Sequence, residues 1–274
     1  MKAGWFELTE RDLEYVVQAA APQAGHRQRL KELIREDEDF RRELVGHDNV
    51  FRALMSGEEM FLRVSPRLFF EVLLRRARKQ MAQTAHTVER MGRYEVAVFD
   101  AGEVDELLAE PATLLYLADM LASFTRVQSF TLTARIGPGL YEKIRFNDLN
   151  LDSLARFCRL VEPSQRFAFY KRMADLCLFI SGIFPEYTRI QYRYPFTGEV
   201  RMKFLGTGRR DLAGYEQEGC KYYGLASEHP AAETLGLRAV LDRLKEQFAL
   251  AQKPLRFLAE RYLAGLKRKL FATG

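Results

Sequence analysis

Apolar residues recur at spacings of three and four along most of the chain, the period of helices that bury one face. The clearest run begins at Ser65-Pro66, a hydroxyl N-cap followed by a proline at the first helical position. It continues through Leu68, Phe69, Val72, Leu73, Ala77, Met81, Ala85, Val88 and Met91. That spacing predicts one long helix ending near Gly92. The stretch from Phe167 to Pro185 differs, because residues 176–180 are apolar on every side of a helical wheel, the mark of a central helix. A core helix is therefore expected over about 164–182, with Pro163 near its start, Gly182 near its end and Pro185 blocking continuation.

Before residue 65 the pattern predicts short charged helices. The first carries a Thr9 cap with early acids Glu10 and Asp12, and the next two cover about 27–36 and 37–45, the latter stopped by Gly46. Residues 49–55 and 58–63 read as short helical turns. Beyond the long helix, 94–99 alternates weakly as an extended piece, while 103–109 and 112–124 read as helices. Residues 127–136 fit a strand or a helix equally until Gly137-Pro138-Gly139 ends them, and Asn150 or Asp152 can cap a helix through Leu160. After Pro185, Ile190, Tyr192 and Tyr194 alternate with polar residues. Pro195-Phe196-Thr197-Gly198 supplies a turn, and Val200, Met202 and Phe204 alternate again, which predicts a β-hairpin. Asp211 then caps a further helix, Pro230 opens another, and Pro254 is expected to separate it from the last. The expected fold is mainly α: a multi-helix bundle around the central helix of about 164–182 with one inserted β-hairpin at about 189–205. A small N-terminal helical segment, 1–64, is expected to pack on a main helical domain, 65–274.

Composition narrows this picture without naming a chemistry. A chain of 274 residues that is 47% apolar can bury a sizeable core. Its formal charge of +5 permits nucleic-acid or acidic-membrane binding without requiring it. Cys158, Cys177 and Cys220 are odd in number and form no Cys-x-x-Cys pair, which fits thiols in a reducing cytoplasm. The first residues turn polar before any signal-peptide core, and the longest apolar run, 176–184, is about half the roughly 20 residues of a membrane-crossing helix. A soluble, cytoplasmic protein is expected.

No catalytic residue, cofactor signature or metal site is assigned. Four histidines are present, and His86 with Glu89 lacks the Glu-x-x-His order of di-iron bundles. Ser181 lacks a nucleophile elbow, and its hydroxyl is expected to bond back to the Cys177 carbonyl. Cys177, in an apolar ring, should be inert, which leaves Cys220 beside Lys221 as the better reactive candidate. Gly206-x-Gly208-Arg209-Arg210 before a helix can present amides and guanidinium groups to an anion, with a basic linker as the plainer reading. Arg75, Arg78 and Lys79 share one side of the long helix, with Arg67 and Glu71 extending the stripe. They form a possible phosphate or nucleic-acid face beside the plainer reading of solvated charge. Lys267-Arg268-Lys269 next to Leu266, Leu270 and Phe271 has the look of a weak membrane-surface or partner-binding tail.

Asp175 is the most unusual polar residue, since the next turn offers only Leu176, Leu178 and Phe179. A carboxylate in apolar surroundings must be paired or must raise its pKa, and Lys171 and Arg172 are its local partners. It reads either as a helix-to-helix anchor or as the polar group of a ligand pocket. Tyr215, Tyr222 and Tyr223 share a predicted helix with Gly219 and Gly224, where glycines allow close approach of a helix or a ligand.

Three blocks carry a resemblance: Ser65-Pro66-x-Leu68-Phe69-Phe70, Asp175-x-x-Leu178-Phe179-x-x-Gly182-x-Phe184-Pro185-Glu186, and Tyr215-x3-Gly219-x2-Tyr222. Together they resemble an uncharacterised prokaryotic, mainly helical family, over patches of residues 65 to 264. The family pattern has glycine before the aspartate where this chain has Ala174, and the hairpin looks like an insertion. The resemblance implies a mainly helical cytosolic protein and supplies no activity. The expected function is a soluble binding or regulatory protein, non-enzymatic, recognising a protein partner or small ligand near Asp175, Lys171, Arg172, Tyr215 and Tyr222, with a homodimer possible. The alternatives are a nucleic-acid-associated protein using Arg75, Arg78, Lys79, Arg209 and Arg210, and an enzyme with Asp175 as its buried carboxylate.

Overall fold

A computed structural model of the chain describes residues 7–56, 63–83, 87–91, 94–98, 100–126, 129–137, 140–147, 149–188 and 210–271, without the side chains of its strands or of residues 268–269. It divides into two compact units, Met1–Ser123 and Phe124–Gly274. The sequence-expected boundary at 64/65 falls inside the first.

Unit 1 holds α1 (Glu10–Ala20), α2 (Arg27–Glu36), α3 (Glu38–Val45), α4 (Asp48–Met55), α5 (Pro66–Met81), α6 (Ala101–Ala109) and α7 (Pro111–Ser123). Capping starts several of them. Thr9 and Asp12 form a reciprocal capping box on α1, Asp37 accepts from two amides at the start of α3, and Ser65 accepts from the Leu68 amide. Asp12 does more than cap, because its other oxygen accepts the Ser65 amide at 2.7 Å. It thereby ties the start of α1 to the start of α5. The centre of the unit is α5, buried continuously from Leu68 to Arg75 and packed on α7, α6, α4 and α3.

Unit 2 holds α8 (Leu151–Leu160), α9 (Phe167–Ile183), α10 (Leu212–Ser227), α11 (Pro230–Thr234), α12 (Arg238–Glu246), α13 (Phe248–Arg261) and α14 (Lys267–Phe271). Asn150 and Asp211 cap α8 and α10, as their short polar side chains favour. From Met173 to Ile183 every residue of α9 is buried, and the helix packs chiefly on α10, then α13 and α8. Glycine lets these helices close. A methyl group on Gly182 would meet Leu255 Cβ at 2.7 Å, and one on Gly219 would meet the Phe248 ring at 2.2 Å. The lower end of α9 is aromatic: Phe179 stacks on Phe124 at 4.1 Å and meets Phe271 edge-on at 4.9 Å.

Two antiparallel hairpins complete the description, β1 (Thr87–Met91) with β2 (Tyr94–Val98) and β3 (Ser129–Gly137) with β4 (Leu140–Asn147).

The mainly α reading stands, and the arrangement around it is corrected. No strand is described over 189–205, which lies outside the described residues together with Arg209, so the single inserted hairpin is not retained. The long helix stops at Met81 instead of near Gly92. Its apolar spacing persisted past the true end, but Thr87 and Val88 are β-branched and favour the strand that forms there. The central helix organises unit 2 alone, since unit 1 has its own core around α5. Pro254 lies within α13, and the break falls earlier, at Gln247. The proline forgoes its bond to the Leu250 carbonyl and is itself buried, so packing offsets the lost bond. The apolar residues of the C-terminal tail are not an open face, because Leu270 and Phe271 are buried. Among the described residues, no helix is long and apolar enough to cross a membrane.

Candidate functional site

In unit 2 the structure brings Asp175 to a tyrosine adjacent to the one expected. Lys171 Nζ, one turn earlier on α9, donates to Asp175 Oδ2 at 2.8 Å, and Tyr223 Oη on α10 donates to Oδ1 at 2.9 Å. Asp175 is 1% exposed and Tyr223 fully buried, while the Lys171 side chain keeps part of its surface in solvent. Both carboxylate oxygens thus have donors, and the group joins α9 to α10. The Arg172 guanidinium instead covers the Phe124 ring at 3.9 Å, a cation–π contact. Tyr223 was legible in principle: Tyr215, Gly219 and Tyr223, four residues apart, lie on the buried face of α10, whereas Tyr222 is half-buried on the adjoining side.

The thiols and phenols around this anchor are quiet. Burial pushes Cys177 well up, with the carboxylate of Glu218 adding to it. Cys158 and Cys220 are also raised by burial, the opposite of an activated thiolate. The Ser181 hydroxyl donates to the Cys177 carbonyl at 2.8 Å. Tyr215 is pushed up to about 12, first by burial and then by Cys177. Its raised folded value leaves stability intact below the unfolded value near ~10 and removes it as pH rises through the folded one. Tyr15 and Tyr222 are also raised by burial, so ultraviolet-monitored alkaline titration of Tyr215→Phe should lack one of several late-ionising phenols, and that variant should lose stability more gently between about pH 10 and 12.

Arg210 is likewise engaged. It donates to Asp152 at the start of α8 and to Glu218 on α10, both at 2.8 Å. Burial lowers its pKa, but these two carboxylates outweigh it and hold the guanidinium firmly charged. The group staples two helix starts.

Unit 1 presents the contrasting case, a cleft of about 490 Å³ whose walls carry Arg42, Arg75, Arg76, Arg78 and Lys79. Four of these five cations come from two turns of α5, where positions three and four apart share a face. The acids on its wall are Asp48 and Asp105. Each holds one arginine: Arg76 Nη1 donates to Asp48 at 2.7 Å and Arg78 Nε to Asp105 at 2.8 Å. Lys79 Nζ donates to the Gly46 carbonyl at 2.6 Å. Arg76 also lies 5.0 Å from the Phe51 ring centroid. A wider depression beside α1 is lined by Arg11, Arg63, Glu10, Glu14 and Lys31 among others, and there Lys31 bonds both glutamates.

Beneath the cleft lies a buried ion network that the sequence reading missed. Glu71 is fully buried. Its oxygens accept from Arg41 Nε and Nη2 at 3.0 and 2.5 Å and from Arg75 Nε and Nη2 at 3.1 and 2.8 Å. Arg75 Nη2 also reaches Glu38 at 2.8 Å. Burial pushes the Glu71 carboxyl up, but the two guanidinium groups outweigh it and leave the group lowered. The available signal was the Glu71–Arg75 pair, four apart and flanked by Phe70, Val72 and Leu74. Charges inside so apolar a stretch must be paired if they are buried. Arg75 accordingly sits 5% exposed as part of the cleft floor, while Arg78 is half-buried and Lys79 exposed.

Among the described residues no group of three or more His, Cys, Asp and Glu is placed to hold a metal ion. The chain matches no known family model, no curated protein and no solved structure.

Proposed function

We propose that this protein is a binding protein for a small anionic ligand, which it takes in the cleft of unit 1. The observation that carries the reading is the convergence of five cationic side chains from α3 and α5 on one recess of about 490 Å³, a size typical of small-molecule sites. Asp48, Asp105 and Glu38 hold the guanidinium groups of Arg76, Arg78 and Arg75 in place, so little side-chain freedom remains to be lost on binding. The recess favours a small ligand over nucleic acid, whose backbone is better tracked by an extended basic groove. Asp175, with both oxygens occupied inside unit 2, is read as an anchor and not as a ligand group or a catalytic acid. The three free thiols support a reducing, cytoplasmic setting.

Calorimetric titration of the full chain with inorganic pyrophosphate at low ionic strength tests this. Saturable one-to-one binding is expected, weakening with salt and falling at least about tenfold in Arg78→Ala/Lys79→Ala, as loss of charge-assisted bonds requires. Absence of binding, or binding unchanged in the double variant, would sink the reading; binding of a single-stranded oligonucleotide alone would replace it with the nucleic-acid alternative.

A further inference from the structure

Resting on that reading, we infer that the ligand is an organic monoanion and that Lys79 is the residue that meets its charge. Each arginine of the cleft wall already has a carboxylate. Arg42 Nη2 lies 2.7 Å from Asp39, Arg75 Nη2 2.8 Å from both Glu71 and Glu38, Arg76 Nη1 2.7 Å from Asp48 and Arg78 Nε 2.8 Å from Asp105. Arg41 shares Glu71, so the five arginines of this network face five carboxylates and balance. Lys79 is the charge left over. Among the described residues it forms no ion pair with an acid, and its Nζ donates to the Gly46 carbonyl at 2.6 Å. Lys79 and Gly46 both line the cleft, so the ammonium lies along the wall between them. One of its three donors is used there, and the others stay available to a ligand.

That balance sets the charge of the ligand. A paired arginine can still donate a hydrogen bond, but its field is opposed at close range by the carboxylate that holds it. One negative charge on a ligand neutralises Lys79. A second would find no uncompensated cation and would face Asp48 and Asp105 on the same wall, a like-charge juxtaposition that selects against dianions. Carboxylates, sulfonates and phosphodiesters share the required single charge. Leu114 and Ala82 line the same cleft and offer apolar surface to an organic body.

The test compares benzoate, benzenesulfonate and phenyl phosphate, which share one phenyl ring, by calorimetric titration of the full chain at low ionic strength. At pH 8 phenyl phosphate is a dianion and is expected to bind no tighter than the two monoanions. Its affinity relative to benzenesulfonate should rise as pH falls through the second phosphate ionisation near ~6. Asp48, Asp105 and Lys79 on the wall, and His47 between Gly46 and Asp48 in the chain, act on both probes, so the ratio isolates the charge of the ligand. Lys79→Met should weaken benzoate by at least about tenfold, whereas Lys79→Arg should hold it within about threefold. In Asp105→Asn the amide oxygen still accepts from Arg78 but one arginine is left uncompensated, and phenyl phosphate should then become the preferred probe at pH 8. A lost structural contact does not produce that change of selectivity. Phenyl phosphate binding about tenfold tighter than both monoanions at pH 8, or benzoate affinity unchanged in Lys79→Met, overturns the inference. So does pyrophosphate binding without benzoate binding, and in each of these cases the anion-binding reading stands. Failure of pyrophosphate to bind removes both.

Discussion

Glu71→Ala is expected to destabilise unit 1 by about 3–5 kcal/mol, the range found when one member of a buried charge cluster is removed, since Arg41 loses this carboxylate and Arg75 keeps Glu38 in its place. The reason lies in the burial of its partners, since Arg41 and Arg75 are 7% and 5% exposed and lose four hydrogen bonds between them. Hydrogen exchange of the full chain, read over α5 and α3, should show protection collapsing there while α9 and α10 keep theirs. Replacing Arg41, Glu71 and Arg75 together with apolar residues of similar volume should recover much of the loss, because no charge then remains to be desolvated. That triple variant should nonetheless bind pyrophosphate more weakly, because Arg75 lines the cleft. The acid limb of stability carries the same signature. Since the folded Glu71 carboxyl titrates below its ordinary value, its contribution is full above the unfolded value near ~4.3 and is lost as pH falls through the lower folded one. Urea midpoints followed from pH 6 downward should drop in the wild type and flatten in Glu71→Gln.

Asp175→Ala is expected to cost unit 2 about 1–3 kcal/mol for removing the carboxylate to which the buried Tyr223 hydroxyl donates, with a further contribution from the space left behind. Asp175→Asn should cost less, because an amide oxygen still accepts from Tyr223 and the Lys171 ammonium can turn to solvent. The double variant Asp175→Ala/Tyr223→Phe should be more stable than the sum of its single changes, because neither side of this hydrogen bond then remains. Chemical denaturation of the four proteins measures this coupling. Pyrophosphate affinity should not change in Asp175→Asn, as an anchor in unit 2 requires. A loss of affinity with stability unchanged would return Asp175 to the list of ligand groups.

The contrast between these two carboxylates shows what was legible. Asp175 announced itself because its following turn is wholly apolar, and its pairing with Lys171 followed from a spacing of four. Glu71 has the same spacing to Arg75, but the neighbouring Arg78 and Lys79 drew the eye to an exposed basic stripe, and nothing local says that α3 will close over that face. Arg41 and Glu38 are separated from their partners by about thirty residues or more, so no periodicity within α5 could reveal them. Tyr223 against Tyr222 is a matter of roughly 100° of helix rotation, decided by which face of α10 meets α9.

Local physics determined much of the chain by itself. The caps at Thr9, Asp37, Ser65, Asn150 and Asp211, the all-round burial of α9 and the helical period across most elements follow from side chains that satisfy backbone groups or share one face within a turn or two. Tertiary structure decided the rest. It set where α5 stops, whether Pro254 breaks a helix, which tyrosine meets Asp175, and that Arg75 is a buried, clamped cation facing a cleft. Those outcomes depend on desolvation and pairing between residues far apart in the chain, energies that exist only once the helices have packed.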